Sequence, residues 1–346
     1  MSDKHYDLKV GFACNNKCKH CVIETNREHL LENKLKTDFS YGEIVKIINS
    51  EDFKSSNSIT ITGGEPTIRK DFERIIKYIG KNSKGKIITL QTNGRLLGKY
   101  IEMIEENIEN MYYVVAIHSI DKNVHNNIVG VEYTGANSYD ETFETLKKMV
   151  DFFGKEKIKN KMRIEIVLSK FNISTLVDTV KFLGNMGIRD IGISYPHADG
   201  FFNKYGIEGV KSFSLSYEDC KPAIYELYQY LESNKDVTVI FEEVPYCMIR
   251  DNLGKLLPSL SNLKSMSTIP SEVNIHFPSS EKVYFNDIWK NMHKHSSKCK
   301  DCCLKNTCLG VWFEAIDTFK DSGFVPIKDD ELKAIGGIEN VLNYFR

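Results

Sequence analysis

Six short apolar runs, Asp7 to Phe12, Ser58 to Thr62, Lys86 to Gln91, Tyr112 to Ile117, Met162 to Leu168 and Asp190 to Ser194, alternate with stretches of helical period. Each run is too short for a stable helix and is rich in β-branched residues, so each reads as a strand. Helices are expected between them near Tyr41 to Ser50, Lys70 to Lys81, Leu97 to Glu106, Tyr139 to Phe153 and Ile173 to Met186. This alternation makes successive strands parallel and their crossovers right-handed. Six repeats suit an open barrel better than a full eight-fold one, so a partial (β/α)6 TIM-like barrel is expected. Its chemistry would sit at the C-terminal ends of the strands.

Beyond residue 198 the pattern loosens. A segment with Gly200, Phe201, Phe202, Gly206 and Gly209 leads to a helix near Tyr217 to Ser233 and a strand near Val237 to Glu242. Pro258 to Lys282 is rich in Ser and Pro and reads as loop or lid. The division expected is a barrel over 1–198 and a C-terminal extension over 199–346. A net charge of -1 lacks the basic excess that nucleic-acid backbones demand. Met1 to Val10 is not a signal peptide, and no apolar run reaches membrane-spanning length. A cytoplasmic protein with no nucleic-acid or membrane partner is therefore expected.

Nine cysteines are poorly used as disulfides in a reducing compartment, which directs attention to metal or redox chemistry. Three fall in Cys14-x3-Cys18-x2-Cys21, directly after the first strand. Three thiolates on one short loop can hold three irons of a [4Fe-4S] cubane and leave the fourth open. On spacing alone, a zinc knuckle completed by His20 or a distant cysteine competes with that reading.

The run CNNKCKHC resembles the motif of the radical S-adenosylmethionine (SAM) superfamily, at that family's usual place after strand one. The resemblance implies that Cys14, Cys18 and Cys21 bind a [4Fe-4S] cluster whose open iron chelates SAM. It also implies that the His20 ring packs near the adenine. Gly63, Gly64, Glu65 and Pro66 after strand two are similar to the family's GGEP element, which takes the methionine ammonium on backbone carbonyls while the acid adds charge complementarity. Thr92, Asn93 and Gly94 are similar to its TNG element. By the same resemblance His118 and, preferentially, Ser119 face ribose or methionine carboxylate. Arg163, Ser169, Tyr195 and Pro196 stand where relatives contact carboxylate, ribose or adenine. These ordered motifs span residues 6 to 198.

Cys299-x2-Cys302-x5-Cys308 resembles the auxiliary-cluster region of twitch and SPASM enzymes. No cysteine follows Trp312, so the resemblance implies one auxiliary [4Fe-4S] cluster, with Cys247 as the fourth ligand. Four-cysteine zinc is the structural alternative. Cys220 and Cys303 read as small hydrophobes, or as hydrogen donors to a substrate radical if they line the pocket. The activity implied is cleavage of SAM to a 5'-deoxyadenosyl radical, fed by a reductant such as flavodoxin or ferredoxin, followed by hydrogen abstraction from substrate. Modification of a ribosomally made peptide, by crosslink or epimerisation, is expected first. A small-molecule dehydrogenase or isomerase is the alternative, and a noncatalytic metal-binding or electron-transfer protein the third reading. Two features bear on this choice. Strand one begins by residue 7, which leaves no leader-gripping extension, and the terminal Asn343-Tyr344-Phe345-Arg346 lacks the Gly-Gly of molybdopterin-precursor enzymes.

Overall fold

The computed structural model describes residues 4–131, 135–196, 205–265, 272–276, 283–284 and 292–345. All six expected strands form: β1 (Lys4–Lys9), β2 (Ser58–Thr62), β3 (Ile87–Thr92), β4 (Met111–Ala116), β5 (Met162–Val167) and β6 (Asp190–Ser194) pair in chain order, all parallel. The sheet does not stop at six. β7 (Thr238–Glu242) and β8 (Leu263–Ser265) extend it in parallel beyond β6. On the other edge β9 (Glu272–His276) runs parallel to β1, and β10 (Val283–Tyr284) closes the order antiparallel to β9. The α/β open barrel is thus larger than six repeats, and the segment at Gly200 to Phe202 lies outside the described residues.

Period-two alternation divides the sheet into two faces. Ile59, Ile61, Ile88, Leu90, Val115, Ile164, Ile166, Ile191 and Ile193 are fully buried in one core with Ile44, Ile75, Ile76 and Leu183 from the covering helices. Each such side chain contributes about 1.5–3 kcal/mol of transfer free energy. The alternate positions, among them Tyr112, Arg163, Glu165, Ser194 and Glu242, are half-buried and polar, and they form the face turned away from those helices.

Helix ends follow local chemistry. Ser40 and Glu43 form a capping box on helix Tyr41–Ile48, Ser216 caps helix Tyr217–Ser233, and Gly187 (φ +96°) ends helix Leu176–Met186. Strand one begins three residues earlier than expected, at Lys4, and also ends three earlier, at Lys9, because Val10 to Phe12 lead into the cysteine loop. Helix Lys122–Ile128 escapes a periodicity reading, being short and polar; Asp121 nucleates it by accepting from Asn123 N (2.8 Å) and Val124 N (3.0 Å). No helix among the described residues is long and apolar enough to cross a membrane.

Candidate active site

The loop after β1 is strapped on several sides. Asp38 Oδ1 accepts from Phe12 N (2.9 Å) and Ala13 N (3.3 Å). Gly64 N donates to Gly11 O and Glu65 N to Ala13 O, both at 2.8 Å. Further along, Lys17 N and Lys19 N donate to Val129 O and Ile128 O. The turn after β2 can come this close only because it is glycine. A Cβ on Gly64 would meet Ala13 O at 2.2 Å, and one on Gly63, whose φ is +143°, would meet Gly11 O at 2.3 Å.

Cys14, Cys18 and Cys21 are half-buried on this loop. Burial pushes the Cys14 thiol up to about 11, and burial followed by the charges of Cys21 and Cys14 holds Cys18 well above the ordinary thiol range. Burial likewise raises Cys21, which packs against Phe12, Ile23 and Leu30. Three thiols that oppose one another's ionisation form a donor set that a polycationic centre would relieve. Among the described residues no three His, Cys, Asp or Glu side chains are arranged to hold a single metal ion. One zinc would need its ligands within about 2.3 Å of one point, whereas the corners of a cubane lie apart. The chemistry of this donor set fits a cationic metal–sulfur centre.

Glu65 is placed differently from its expected role as a charge facing the cofactor. Its carboxylate is buried and accepts from Thr67 N (3.0 Å), Thr67 Oγ1 (2.5 Å), Thr92 Oγ1 (2.7 Å) and Asn93 N (2.7 Å). Burial raises its pKa against the pull of these donors. It ties the β2 turn to the β3 turn. Asn93 carries the tie onward: its Nδ2 donates to Asn15 Oδ1 (2.7 Å) and stands 4.0 Å from Cys14 Sγ. Arg95 completes the ring by donating to Asn15 O and to Asn16 Oδ1 (3.0 Å). The cysteine loop, Gly63 to Pro66 and Thr92 to Gly94 are thus brought together.

His20 meets the ring of His118 edge-on at 4.6 Å, and His118 stacks at 5.9 Å on His125, which sequence reading missed. Burial, with the two neighbouring histidines, keeps His118 neutral, and burial lowers His125 to about 4. His118 Nδ1 accepts from Val167 N (3.2 Å), so the proton lies on Nε2, which is buried without a hydrogen-bond partner. An orphaned donor beside the cysteine loop is a position that a polar cofactor atom would satisfy.

The remaining expected contacts are spent within the protein. Ser119 Oγ bonds Thr175 Oγ1 (2.9 Å) and accepts from Asp121 N (2.9 Å). Ser169 Oγ donates to Asn172 Oδ1 (3.0 Å). Tyr195 stacks on Tyr217 at 4.5 Å and donates to Leu215 O, with Pro196 buried beside it. Arg163 is not on the rim: it is the second residue of β5, forked onto Asp190 at the start of β6 (3.0 and 3.1 Å), because a cation within the sheet needs a carboxylate.

On the same polar face Ser194 Oγ bonds both Glu165 Oε1 and Glu242 Oε2, the latter at 3.0 Å. Glu165 reaches this position by lying across Gly192, where a Cβ would stand 2.1 Å from Oε2. A serine has one proton to donate, so two carboxyls around it are satisfied only if one is protonated. Burial, then the Glu242 charge, lifts Glu165 to about 8, and burial raises Glu242. No local signal marks this group, since its members lie on three strands.

In the C-terminal region Cys247, Cys299, Cys302 and Cys308 line one pocket. Burial and the neighbouring thiols push Cys247 up to about 12 and Cys308 up to about 11. Cys303 is exposed, and Cys220 is packed in the core.

The family model for the Radical SAM superfamily matches residues 8–193. The chain belongs to this superfamily. Among curated relatives, a probable GTP 3',8-cyclase of Methanococcus maripaludis is 41% identical over 104 residues, covering 30% of this chain and 33% of the relative. The GTP 3',8-cyclase of Aquifex aeolicus is 26% identical over 183 residues, covering 52% and 53%. This radical SAM chain thus spans about half, or less, of the length of these relatives. By structure it is similar to anSMEcpe with bound AdoMet and Cp18Cys peptide (TM-score 0.59, 13% identity, 98% of this chain and 96% of that one). It is also similar to Streptococcus suis SuiB bound to precursor peptide SuiA (TM-score 0.57, 14% identity, 91% and 73%). At these identities the two structures speak for the fold alone. The chain is a radical SAM family enzyme.

Two outcomes follow from the geometry. Gly64→Ala should displace the Ala13 carbonyl and lower the iron and sulfide retained after anaerobic reconstitution by more than half. Gly42→Ala, which meets nothing within 4 Å, should retain wild-type content, and equal retention in both would refute the loop argument. The folded pKa of Glu165, about 8, lies above its ordinary 4.5, so its stabilising effect is full below about 4.5 and is lost as pH rises through about 8. Glu165→Gln should therefore flatten the decline in thermal midpoint across that window. An unchanged slope would mean that the group does not hold the extra proton.

Proposed function

We propose that this radical SAM enzyme abstracts hydrogen from a small molecule. The observation that supports a SAM-cleaving site most directly is the joining of three cysteine thiols, a glycine turn and an asparagine turn into one hydrogen-bonded rim. In this reading Cys14, Cys18 and Cys21 hold a [4Fe-4S] cluster, Gly63, Gly64 and Pro66 offer backbone to the SAM methionine, and His118 Nε2 donates to it. The bound cluster supplies the electron that cleaves SAM to methionine and a 5'-deoxyadenosyl radical. The protein's own part is to hold the loop, to keep His118 neutral as a donor, and to present the polar face of β5 to β7 to substrate.

The peptide reading rests on what twitch and SPASM relatives commonly do, and the sequence relatives weigh against it. They carry the name GTP 3',8-cyclase, a small-molecule reaction, while the peptide-bound structural neighbours fall below 15% identity. The Glu165–Ser194–Glu242 group adds a further constraint: it suits a substrate that donates hydrogen bonds or carries positive charge better than a polyanion. We propose further that Cys247, Cys299, Cys302 and Cys308 hold an auxiliary [4Fe-4S] cluster, and that the nine free cysteines place the enzyme in a reducing compartment.

Anaerobic reconstitution should give about eight irons per chain if both centres form. Cys14→Ala, Cys18→Ala or Cys21→Ala should abolish release of 5'-deoxyadenosine under dithionite and SAM, whereas Cys299→Ala or Cys302→Ala should spare it and lower iron by about half. Zinc-loaded wild-type protein that releases no 5'-deoxyadenosine would end the enzyme reading. For substrate, amine-bearing or polyhydroxylated small molecules are the first compounds to test, with GTP, for which the sequence relatives are named, as the comparison. Stimulation of SAM cleavage by peptides, and by none of these, would return the peptide reading.

A further inference from the structure

Outside the Gly63 to Pro66 turn, on the flank of helix Phe72–Asn82, lies a cleft of about 970 Å3. Its lining carries five cations, Arg69, Lys70, Arg74, Lys77 and Lys81, against two carboxylates, Asp71 and Glu73. The chain as a whole has a net charge of -1, so this positive excess is local. Asp71 is held by Arg69 at 2.9 Å, Glu73 stands 3.9 Å from Lys77, and Arg74 lies over the Tyr41 ring at 3.7 Å. Lys70 and Lys81 are exposed and make no ion pair among the described residues.

The floor of the cleft is connected to the cysteine loop. Thr67 lines it and donates to Glu65, Glu65 accepts from Asn93, and Asn93 Nδ2 reaches to 4.0 Å from Cys14 Sγ. Arg69 donates to Val10 O (2.8 Å) and Phe39 O (2.8 Å), so the cationic wall is bonded to the residues that lead into that loop.

We propose that this cleft is the docking surface for an acidic one-electron carrier protein, a flavodoxin, which delivers its electron to the centre held by Cys14, Cys18 and Cys21. The inference rests on the radical SAM reading, which requires a reductant. In the step the carrier's reduced flavin loses one electron and the cluster gains it, with no atom exchanged across the interface. An open, charged and weakly concave surface suits such a partner. Electron-transfer encounters bury little area, below about 1,200 Å2, and opposite charge steers them.

The test uses the full chain and the triple variant K70E/K77E/K81E, none of whose positions belongs to the candidate active site. Titration of oxidised flavodoxin into the anaerobically reconstituted chain, without SAM or reductant, reads docking independently of activity. Affinity should fall at least about tenfold in the variant, and in wild type it should weaken as salt rises. With photoreduced flavodoxin the variant should release 5'-deoxyadenosine correspondingly slowly, while dithionite should drive both proteins alike. Equal flavodoxin affinity in the two proteins, or a wild-type affinity indifferent to salt, overturns the assignment. Equal loss with both reductants also overturns it, since the lysines would then act on the fold or the cofactor. GTP binding abolished by the variant while flavodoxin binding persists would make the cleft an anion site instead. Wild type inert with dithionite would count against the enzyme reading, and the flavodoxin titration would still decide the docking surface.

Discussion

Gly64 brings its backbone so near Ala13 that a Cβ there would lie 2.2 Å from the Ala13 carbonyl oxygen, and the main chain uses that approach for two hydrogen bonds of 2.8 Å. The approach carries the β1–β2 pairing past the ends of the strands and fixes where the cysteine loop starts. Glu65, drawn in behind, must then satisfy a buried carboxylate, and it does so with four donors from Thr67, Thr92 and Asn93. Removing one donor from such a group exposes a desolvation cost of about 1–3 kcal/mol that water cannot relieve. The three turns above β1, β2 and β3 consequently stand or fall together.

This dependence explains why some of the site was legible in the amino-acid sequence and some was not. The cysteine spacing, Gly63 to Pro66 and Thr92 to Gly94 are local patterns, each contiguous and each following a run of β-branched residues. The strands themselves were legible for the same reason. Glu165, Ser194 and Glu242 had no such signal, being separated by 29 and 48 residues and brought together only by the β5–β6–β7 register. His125 was equally hidden: it sits on a short polar helix whose position is set by Asp121. Arg163 misled because proximity to a strand end in sequence does not say which end of the sheet is meant; its partner Asp190 places it at the start of β6.

The two sets of thiols occupy comparable places for a topological reason. Cys14 follows the C-terminal end of β1 and Cys247 follows that of β7, and every strand from β1 to β7 is parallel. Both sets therefore emerge on the same rim of the sheet. The C-terminal segment is held to that rim by buried polar contacts. Tyr344 donates to Val244 O, and Arg250 pairs with Glu331 at 2.6 Å.

Between the β7 end and Cys308 stands one further buried pair. Glu243, a non-glycine residue at φ +67°, bonds His293 Nε2 at 2.8 Å, and His293 packs on Trp312 with ring centroids 4.7 Å apart. A left-handed glutamate costs of order 1–3 kcal/mol and persists only where its surroundings over-determine it. Here they do, because the Glu243 carbonyl accepts from Tyr217 Oη at 2.9 Å while its carboxylate reaches the β11–β12 hairpin (His293–Lys294 with Val311–Trp312). The same residue thus joins the end of β7, the helix Tyr217–Ser233 and the β11–β12 pair that brackets Cys299 to Cys308. Four residues further on, in the turn Tyr246–Met248, Cys247 lines the pocket shared with Cys299, Cys302 and Cys308.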